Sequence, residues 1–517
     1  MQFLRTTNGS IYAAVLLMIV LAFFLQQHFL VNWDVSWDLL AASRLLAGGS
    51  YTRDFFDLNP PLIFYILIPP AWLGEYFHHP ALLLRLYVFG LSLCSLFLCQ
   101  RLIRSTRSLQ SPPLTFFLTL MLAFVLFLLP GTLIGQREQL LVIFTLPYYF
   151  LVNLRLQEER PSVYLAAGIG LFSALGFALK PHFLAAFLLV EAYEVVRQRS
   201  LRAVMRLEVF VIMAFCSVYV LFIAFRHPDY LYKVIPMSAA FYYAGFGMRW
   251  YQMFLLDCIP YALLMLVWFL FSDRKAPTRA LQAIFACALT GNLLVYFSQM
   301  TNWSYHALPA FSCALILGVL LVEQWWNQRS SQGVFPVAAL LALLAITPLM
   351  YMLEDNFRGR AFKESQKDLL AFMQSLKKRE SVYCMTASPR FAFPSVAMSE
   401  AHYASRLLHL YWVPGAVNKL RDKGGLSLRE QHIEQAFISM VTEDISSGKP
   451  DYILIDTWRH HTGFMSGTFD YLAYFQKDTT FAALFKSYVQ TGILEDTRMK
   501  SYQYTVFKRR DKAAFSA

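Results

Sequence analysis

The sequence predicts a polytopic α-helical membrane protein of about 11 spans, followed by a small C-terminal α/β soluble domain. Three observations carry that prediction. The 517 residues are 57% hydrophobic and only 15% charged, with a mean hydropathy of +0.44, where a soluble domain carries about 25% charge. Apolar runs near the length of roughly 20 residues that crosses a hydrocarbon core recur between residues 11 and 352. From residue 353 the composition changes to 23 Lys/Arg and 18 Asp/Glu, and no run there is long enough to span.

The runs fall near 11–31, 81–100, 111–130, 140–154, 162–179, 183–195, 207–225, 251–271, 280–299, 307–322 and 334–352. The first follows MQFLRTTNGS, outlasts a signal-peptide core and lacks a small-x-small cleavage site, so it reads as an uncleaved span. Residues 62–73 (LIFYILIPPAWL) are apolar but too short to cross, which predicts an interfacial or re-entrant helix. Six of the seven cysteines lie inside apolar runs and only Cys384 lies in the tail. None has metal-ligand or disulfide spacing, and they read as small buried apolar side chains. In the tail, 381–388, 451–458 and 501–508 read as strands and 361–378 and 426–446 as amphipathic helices. The expected division is 1–352, a transmembrane domain with an acidic first outer loop at 32–61, and 353–517, an α/β domain.

The net charge of +12 does not point to nucleic acid, because no basic run interleaves with a soluble fold in the membrane part. Lys and Arg sit instead in short loops between apolar runs, as topology signals do. With the N-terminus cytoplasmic, the inner loops hold 14 positives: Arg5, Arg101, Arg104, Arg107, Arg155, Arg160, Arg197, Arg199, Arg202, Arg206, Arg274, Lys275, Arg279 and Arg329. The outer loops hold 7: Arg44, Arg53, Arg137, Lys180, Arg226, Lys233 and Arg249. That bias sets the orientation and puts the C-terminal domain outside.

Ionisable residues at span ends are costly and are functional candidates by default. They collect on the outer side. The first loop carries Asp34, Asp38, Asp54 and Asp57, closing on Asn59-Pro60-Pro61. Asp34 and Asp38 are four apart and share a helical face; Asp34, just past the first span, is placed to act as a general base. Helix capping and loop solvation are the plainer readings of the other three. Later outer segments supply Arg137-Glu138, Lys180-Pro181-His182, His227-Pro228-Asp229-Tyr230 with Lys233, and Trp303-Ser304-Tyr305-His306. The cationic set of Arg137, Lys180, His182, His227, Lys233 and His306 suits a phosphate whose lipid tail stays in the bilayer. The plainer readings are an ion pair for Arg137 and headgroup snorkelling for Lys180. No His-x-x-x-His zinc spacing occurs; the sequence leaves a divalent metal at the acidic loop open without requiring one.

Together these residues resemble the GT-C superfamily of polytopic glycosyltransferases, which includes protein O-mannosyltransferases and the lipid A aminoarabinose transferase. The likeness starts with an acidic residue after the first span, then an A-x-x-L-L-x-G-G-x-Y stretch (within Ala41 to Tyr51) and a Pro-Pro-Leu opening of the next helix. It is nearer still to a less characterised bacterial branch, through GQREQ (135–139), KPHF (180–183), HPDYL (227–231), QMTNWSYHALP (299–309) and SRLLHLYWVPG (405–415). Three departures stand out: Gln139 where that branch has His, Thr301-Asn302 where it has Lys-Gly, and Asn59 where better known families have Lys.

The resemblance implies a polyprenyl-phosphate-linked sugar as donor, membrane lipid around the site, and a glycan, lipid or protein acceptor on the outer face of a bacterial inner (plasma) membrane. Asp34 and Asp38 are then the catalytic pair, Arg137, Lys180, His182 and Lys233 the donor-phosphate ligands, and Asp54, Asp57, Asn59, Glu138, His227, Asp229, Tyr230, Trp303, Tyr305 and His306 the substrate contacts. A transporter or flippase of a lipid-linked glycan is the first rival, although no internal repeat supports it. A glycan polymerase or ligase is the second, although the large soluble part is C-terminal and not a late loop.

Overall fold

The computed structural model describes residues 8–329, 335–377, 380–465 and 468–510. The chain begins with α1 (Asn8–Gln26), α2 (Trp33–Leu46), α3 (Leu62–Phe77), α4 (Pro80–Ser105), α5 (Pro112–Ala123), α6 (Arg137–Leu156), α7 (Val163–Phe177) and α8 (Leu184–Gln198). It continues through α9 (Leu207–Arg226), α10 (Ile235–Phe246), α11 (Cys258–Phe271), α12 (Arg279–Gln299), α13 (Ser304–Arg329), α14 (Phe335–Ser365) and α15 (Lys367–Ser375). The last part holds β1 (Ser381–Met385), β2 (His402–Tyr403), α16 (Trp412–Lys423), α17 (Leu428–Gly448), β3 (Tyr452–Asp456), α18 (Tyr471–Phe475), α19 (Thr479–Phe485), β4 (Tyr488–Glu495) and β5 (Gln503–Arg509).

Among the described residues, six helices are long and apolar enough to cross a membrane: α1, α4, α6, α9, α12 and α13. Four shorter apolar helices join them: α3, α5 with its π-turn extension to Leu128, α7 and α11. The expected count of about 11 is not reached by this measure. The run at 183–195 forms α8, a 15-residue helix that carries Glu191 and Glu194. The run at 334–352 lies on α14, which runs on to Ser365; residue 334 and the side chains of 335–344 lie outside the described residues, as does Arg5.

The chain forms two compact units. The first takes the N-terminal part up to Phe29, Leu73–Phe222 and Met248–Arg358. Its centre is α6, whose residues from Arg137 to Leu154 are all buried. α4, α7, α12 and α13 surround it. α1 and α9 are more apolar than α6 but sit at the edge, only 17% and 22% buried, and leave Leu17, Phe24, Phe210 and Val218 exposed. A helix apolar on every side can occupy either position, so packing and not hydropathy decides which helix is central.

One charged network crosses this unit. Arg206 reaches Glu191, Glu194 at 3.4 Å and Glu208 at 3.9 Å, and Arg155 donates to Glu208 at 2.9 Å. Tyr148 on α6 donates to Glu191. Glu194 and Glu208 are fully buried. Arg155 and Arg206, two of the positives that set the expected orientation, are thus partners of buried carboxylates; their positions answer to packing as well as to topology.

The second unit takes Leu30–Trp72, Ile223–Gly247 and the chain from Gly359 onward. Its sheet has the order β2-β1-β3-β5-β4. β2, β1 and β3 are parallel, with Cys384 opposite Leu454. β5 is antiparallel to β3 and to β4. The β1–β3 crossover carries α16 and α17, as a parallel connection requires. α16 packs on α10 through Gly415, where a Cβ would meet the Phe241 carbonyl oxygen at 1.9 Å, so only glycine admits that approach.

The loop at 32–61 is grouped by its contacts with this unit. Two arginines explain why. Arg44 on α2 donates to the carbonyls of Tyr403, Ser405 and Asp54 at 2.6, 2.8 and 2.8 Å. Arg406 donates to the Thr52 carbonyl at 2.7 Å and to Asp444 at 2.6 Å, while its own carbonyl accepts from Phe56 N–H at 2.6 Å. Loop 32–61 is therefore stitched backbone to side chain onto the α/β layer.

Removing one partner of a buried ion network leaves charge uncompensated, at a cost of about 3–5 kcal/mol. Arg206→Ala is therefore expected to lower the thermal unfolding midpoint of the detergent-purified protein by several degrees, whereas Arg202→Ala, an exposed neighbour, leaves it within a degree or so. Equal midpoints for the two variants would refute the network's role.

Candidate functional site

In the first unit, three chain segments bring their polar residues together. The first is the entry to α6. Gly131 has φ +48°, and a Cβ there would strike the Asp355 carboxylate at 2.0 Å. That carboxylate accepts from Thr132 N–H at 2.8 Å. The turn so fixed leads into Gln136, the N-cap residue, and puts Arg137 and Glu138 in the buried first turn of α6. The second segment is the α7–α8 link. Pro181 restricts Lys180 to extended backbone, φ −143° and ψ 140°, and sends its side chain to Glu138, where Nζ donates to Oε1 at 2.7 Å.

The third segment is the start of α13. His306 Nε2 lies 3.9 Å from the same Glu138 oxygen, and its Nδ1 pairs with Thr301 Oγ1 at 2.9 Å. Trp303 and Tyr305 pack against the His306 ring, with centroids 5.5 and 4.3 Å away. Arg137 and His182 also lie close enough to act electrostatically on this group. Glu138 is fully buried. Its Oε2 makes no hydrogen bond among the described residues, while Oε1 gathers a lysine from the α7–α8 link and a histidine from α13.

The second unit holds the acidic loop. Asn32 caps α2, its side chain accepting from Asp34 N–H at 3.0 Å. Asp34 is half-buried in the first turn, and Asp38, one turn on, is fully buried. Asp57 accepts from Trp37 Nε1 at 2.6 Å and from Asn59 N and Nδ2 at 2.6 and 2.7 Å. Asp54 accepts from Ser50 N–H at 2.7 Å and pairs with Arg53 at 2.8 Å. Asp229 accepts from Thr52 Oγ1 at 2.7 Å and pairs with Lys233 at 3.0 Å. The last three carboxylates are thereby taken up in building the loop. Among the described residues no group of three or more His, Cys, Asp or Glu is placed to hold a metal ion.

The histidines differ from the expected cationic set. Burial, with Lys180 nearby, pushes His182 down to about 4. Burial, with Arg226 nearby, does the same to His227. Both are neutral at pH 7, since a desolvated imidazolium loses its hydration. His227 Nε2 lies 2.9 Å from the Tyr65 hydroxyl, and its ring meets Tyr51 edge to face at 5.5 Å. Tyr230 donates to the Leu58 carbonyl at 3.2 Å. Tyr65 went unnoticed in the sequence because it lies inside an apolar stretch.

Each departure from the family pattern has a local task. Gln139 Oε1 accepts from Gly135 N–H at 2.6 Å and closes the GQREQ turn. Thr301 orients His306, and Asn302 accepts from Tyr296 OH at 3.0 Å. Asn59 holds Asp57 in place.

No family model matches the chain, and no curated protein matches it. Solved structures are similar to it, two of them as follows. One is ArnT from Cupriavidus metallidurans in the apo state, at 14% identity and a TM-score of 0.44, covering 97% of this chain and 98% of that one. The other is the arabinofuranosyltransferase AftD from Mycobacteria, at 12% identity and a TM-score of 0.45, covering 98% of this chain. The chain spans 40% of the length of AftD.

Proposed function

We propose that this protein is a membrane glycosyltransferase that moves a sugar from a polyprenyl-phosphate donor to a hydroxyl of a glycolipid, polysaccharide or protein. The work is done on the outer face of a bacterial inner membrane, with the N-terminus cytoplasmic and the second unit periplasmic. The observation that carries this reading is the buried group Glu138–Lys180–His306, with Arg137 and His182 beside it, at the starts of apolar helices. Helix N-termini favour anions. Arg offers a planar fork and Lys a point charge to phosphate oxygens, and both act strongly where water is excluded. A donor whose lipid tail lies among the helices presents its phosphate at that depth. The sequence likeness to GT-C motifs rests on the same residues.

Within this reading, Glu138 is the residue that positions Lys180 and His306 rather than a sugar contact. His182 serves as a neutral hydrogen-bonding group. Trp303 and Tyr305 offer aromatic faces to a sugar ring. Asp34 is the base: it opens α2, where the helix dipole favours a negative side chain, and Asp38 supports it from one turn away. The acceptor hydroxyl gives its proton to Asp34 as its oxygen attacks the anomeric carbon. The bond from that carbon to the phosphate oxygen breaks, and polyprenyl phosphate leaves as a stabilised anion with inversion of configuration. Arg137 and Lys180 neutralise the charge that develops on it.

Asp34→Asn is expected to lower turnover of a polyprenyl-phosphate sugar about 100-fold or more, and Arg137→Ala by a similar factor. Lys180→Ala alone would strand the Glu138 charge, so the double variant Lys180→Ala/Glu138→Gln is the fair test; it should insert normally and lose donor binding. Normal turnover in all three variants sinks the mechanism. The pH dependence gives a separate check. His182 takes up a proton only as pH falls towards 4, so donor affinity should stay flat from pH 8 to about 5.5. An imidazole with the ordinary value of about 6.5 would make affinity rise as pH drops through that range, and such a rise would remove His182 from its neutral role.

A further inference from the structure

We infer that the second unit carries a binding groove for an anionic phospholipid, between the start of α10 and α17. A cavity of about 460 Å³ opens there. Its rim carries the cations Lys233 and Arg429 with His432 beside them, and its floor is apolar, with Pro236, Met237 and Ile433. The two walls follow one pattern. Residues 233, 236 and 237 share one helical face, and 429, 432 and 433 share another. Each wall thus sets a cation one turn from an apolar side chain, the chemistry of a phosphate headgroup with an attached acyl chain.

The charges around the groove favour an anion. No carboxylate lines it. On α17, Glu430 is engaged by Lys419 and the Ser427 cap, and Glu434 by Tyr474. Lys233 shares its charge with Asp229, but Arg429 has no carboxylate partner among the described residues. Depth agrees with a lipid. Lys233 follows Arg226, the last residue of α9, by seven positions. As continuous helix that is about 10 Å, just outside the headgroup layer, which extends about 5–8 Å beyond the hydrocarbon, and within a lysine side chain's reach of it. Around the groove, Tyr232 and Leu428 are each 76% exposed and Ile235 is 44% exposed, a collar of the kind found at membrane interfaces. Lys233, expected at the donor phosphate, has its neighbours here instead. The inference stands apart from the transferase reading, because it requires no turnover.

The test is a titration of the full-length, detergent-purified protein with dioctanoyl phosphatidylglycerol, dioctanoyl phosphatidylcholine and inorganic phosphate, followed by thermophoresis. The phosphatidylglycerol should bind tightest. Each surface Lys or Arg adds about 1 kcal/mol towards an anionic lipid, so Arg429→Ala should weaken binding about fivefold, Arg429→Lys should largely restore it, and Met237→Glu should weaken it by opposing the acyl chain. Equal binding of the two lipids overturns the proposal, as does inorganic phosphate binding as tightly as phosphatidylglycerol, or an unchanged affinity in Arg429→Ala. None of these outcomes bears on whether a sugar is transferred.

Discussion

A carboxylate buried among apolar helices must find positive partners, and Glu138 is where this protein meets that demand. Desolvating an unpaired carboxylate costs several kcal/mol, so the fold that buries Glu138 is bound to bring polar partners to it, a lysine ammonium first among them. Lys180 and His306 come from the α7–α8 link and from α13, far apart in sequence. The carboxylate therefore fixes the relative placement of three helical starts before any substrate is present. Everything proposed for the phosphate follows from that: the cations are preorganised because their counter-charge is built in. A ligand phosphate would add a second anion to a site already shaped by the first, with little reorganisation of the side chains.

The second unit solves a different problem with the same means. An acidic loop of some 30 residues buries Trp37, Tyr51, Phe55 and Phe56, but its carboxylates and open backbone still need polar partners. Arg44 and Arg406 bind it to the α/β layer through backbone carbonyls at Asp54, Tyr403, Ser405 and Thr52. Asp57, Asp54 and Asp229 then hold its turns. Asp34 and Asp38 are the two acids of this loop carried on regular helix, α2. At the first turn of that helix the dipole favours the carboxylate form of Asp34, a physical reason to give it the proton-transfer role.

Much of this was legible in the sequence. Hydropathy located the apolar helices, and alternating patterns found β1, β3 and β5 within a few residues. The polar clusters 135–139, 180–182 and 301–306 were visible as charges at span ends. What was hidden had particular causes. β4, an exposed edge strand with Gly492 beside a register shift, lacks a strong alternation. β2 is only two residues long. The attachment of loop 32–61 to the tail rests on side-chain to carbonyl bonds across more than 350 positions, which no local pattern encodes. The role of Glu138 as an organiser was likewise out of reach, since its partners are non-local.

The charge of the histidines was the subtler matter, and it changes the chemistry. A list of Arg, Lys and His near a membrane reads as six cations, but desolvation acts on them unequally. Arginine keeps its proton under almost any burial, and Lys180 is held by a carboxylate at 2.7 Å. An imidazole starts with a value near neutrality, so a modest loss of hydration discharges it. His182 and His227 pay that penalty and become neutral hydrogen-bonding groups, one beside Lys180 and one against Tyr65. A site with two strong cations, Arg137 and Lys180, and the neutral imidazole of His182 suits a phosphodiester with its single charge better than a polyphosphate with several. The sequence could supply the residues of the site, but the burial that divides them by charge belongs to the fold.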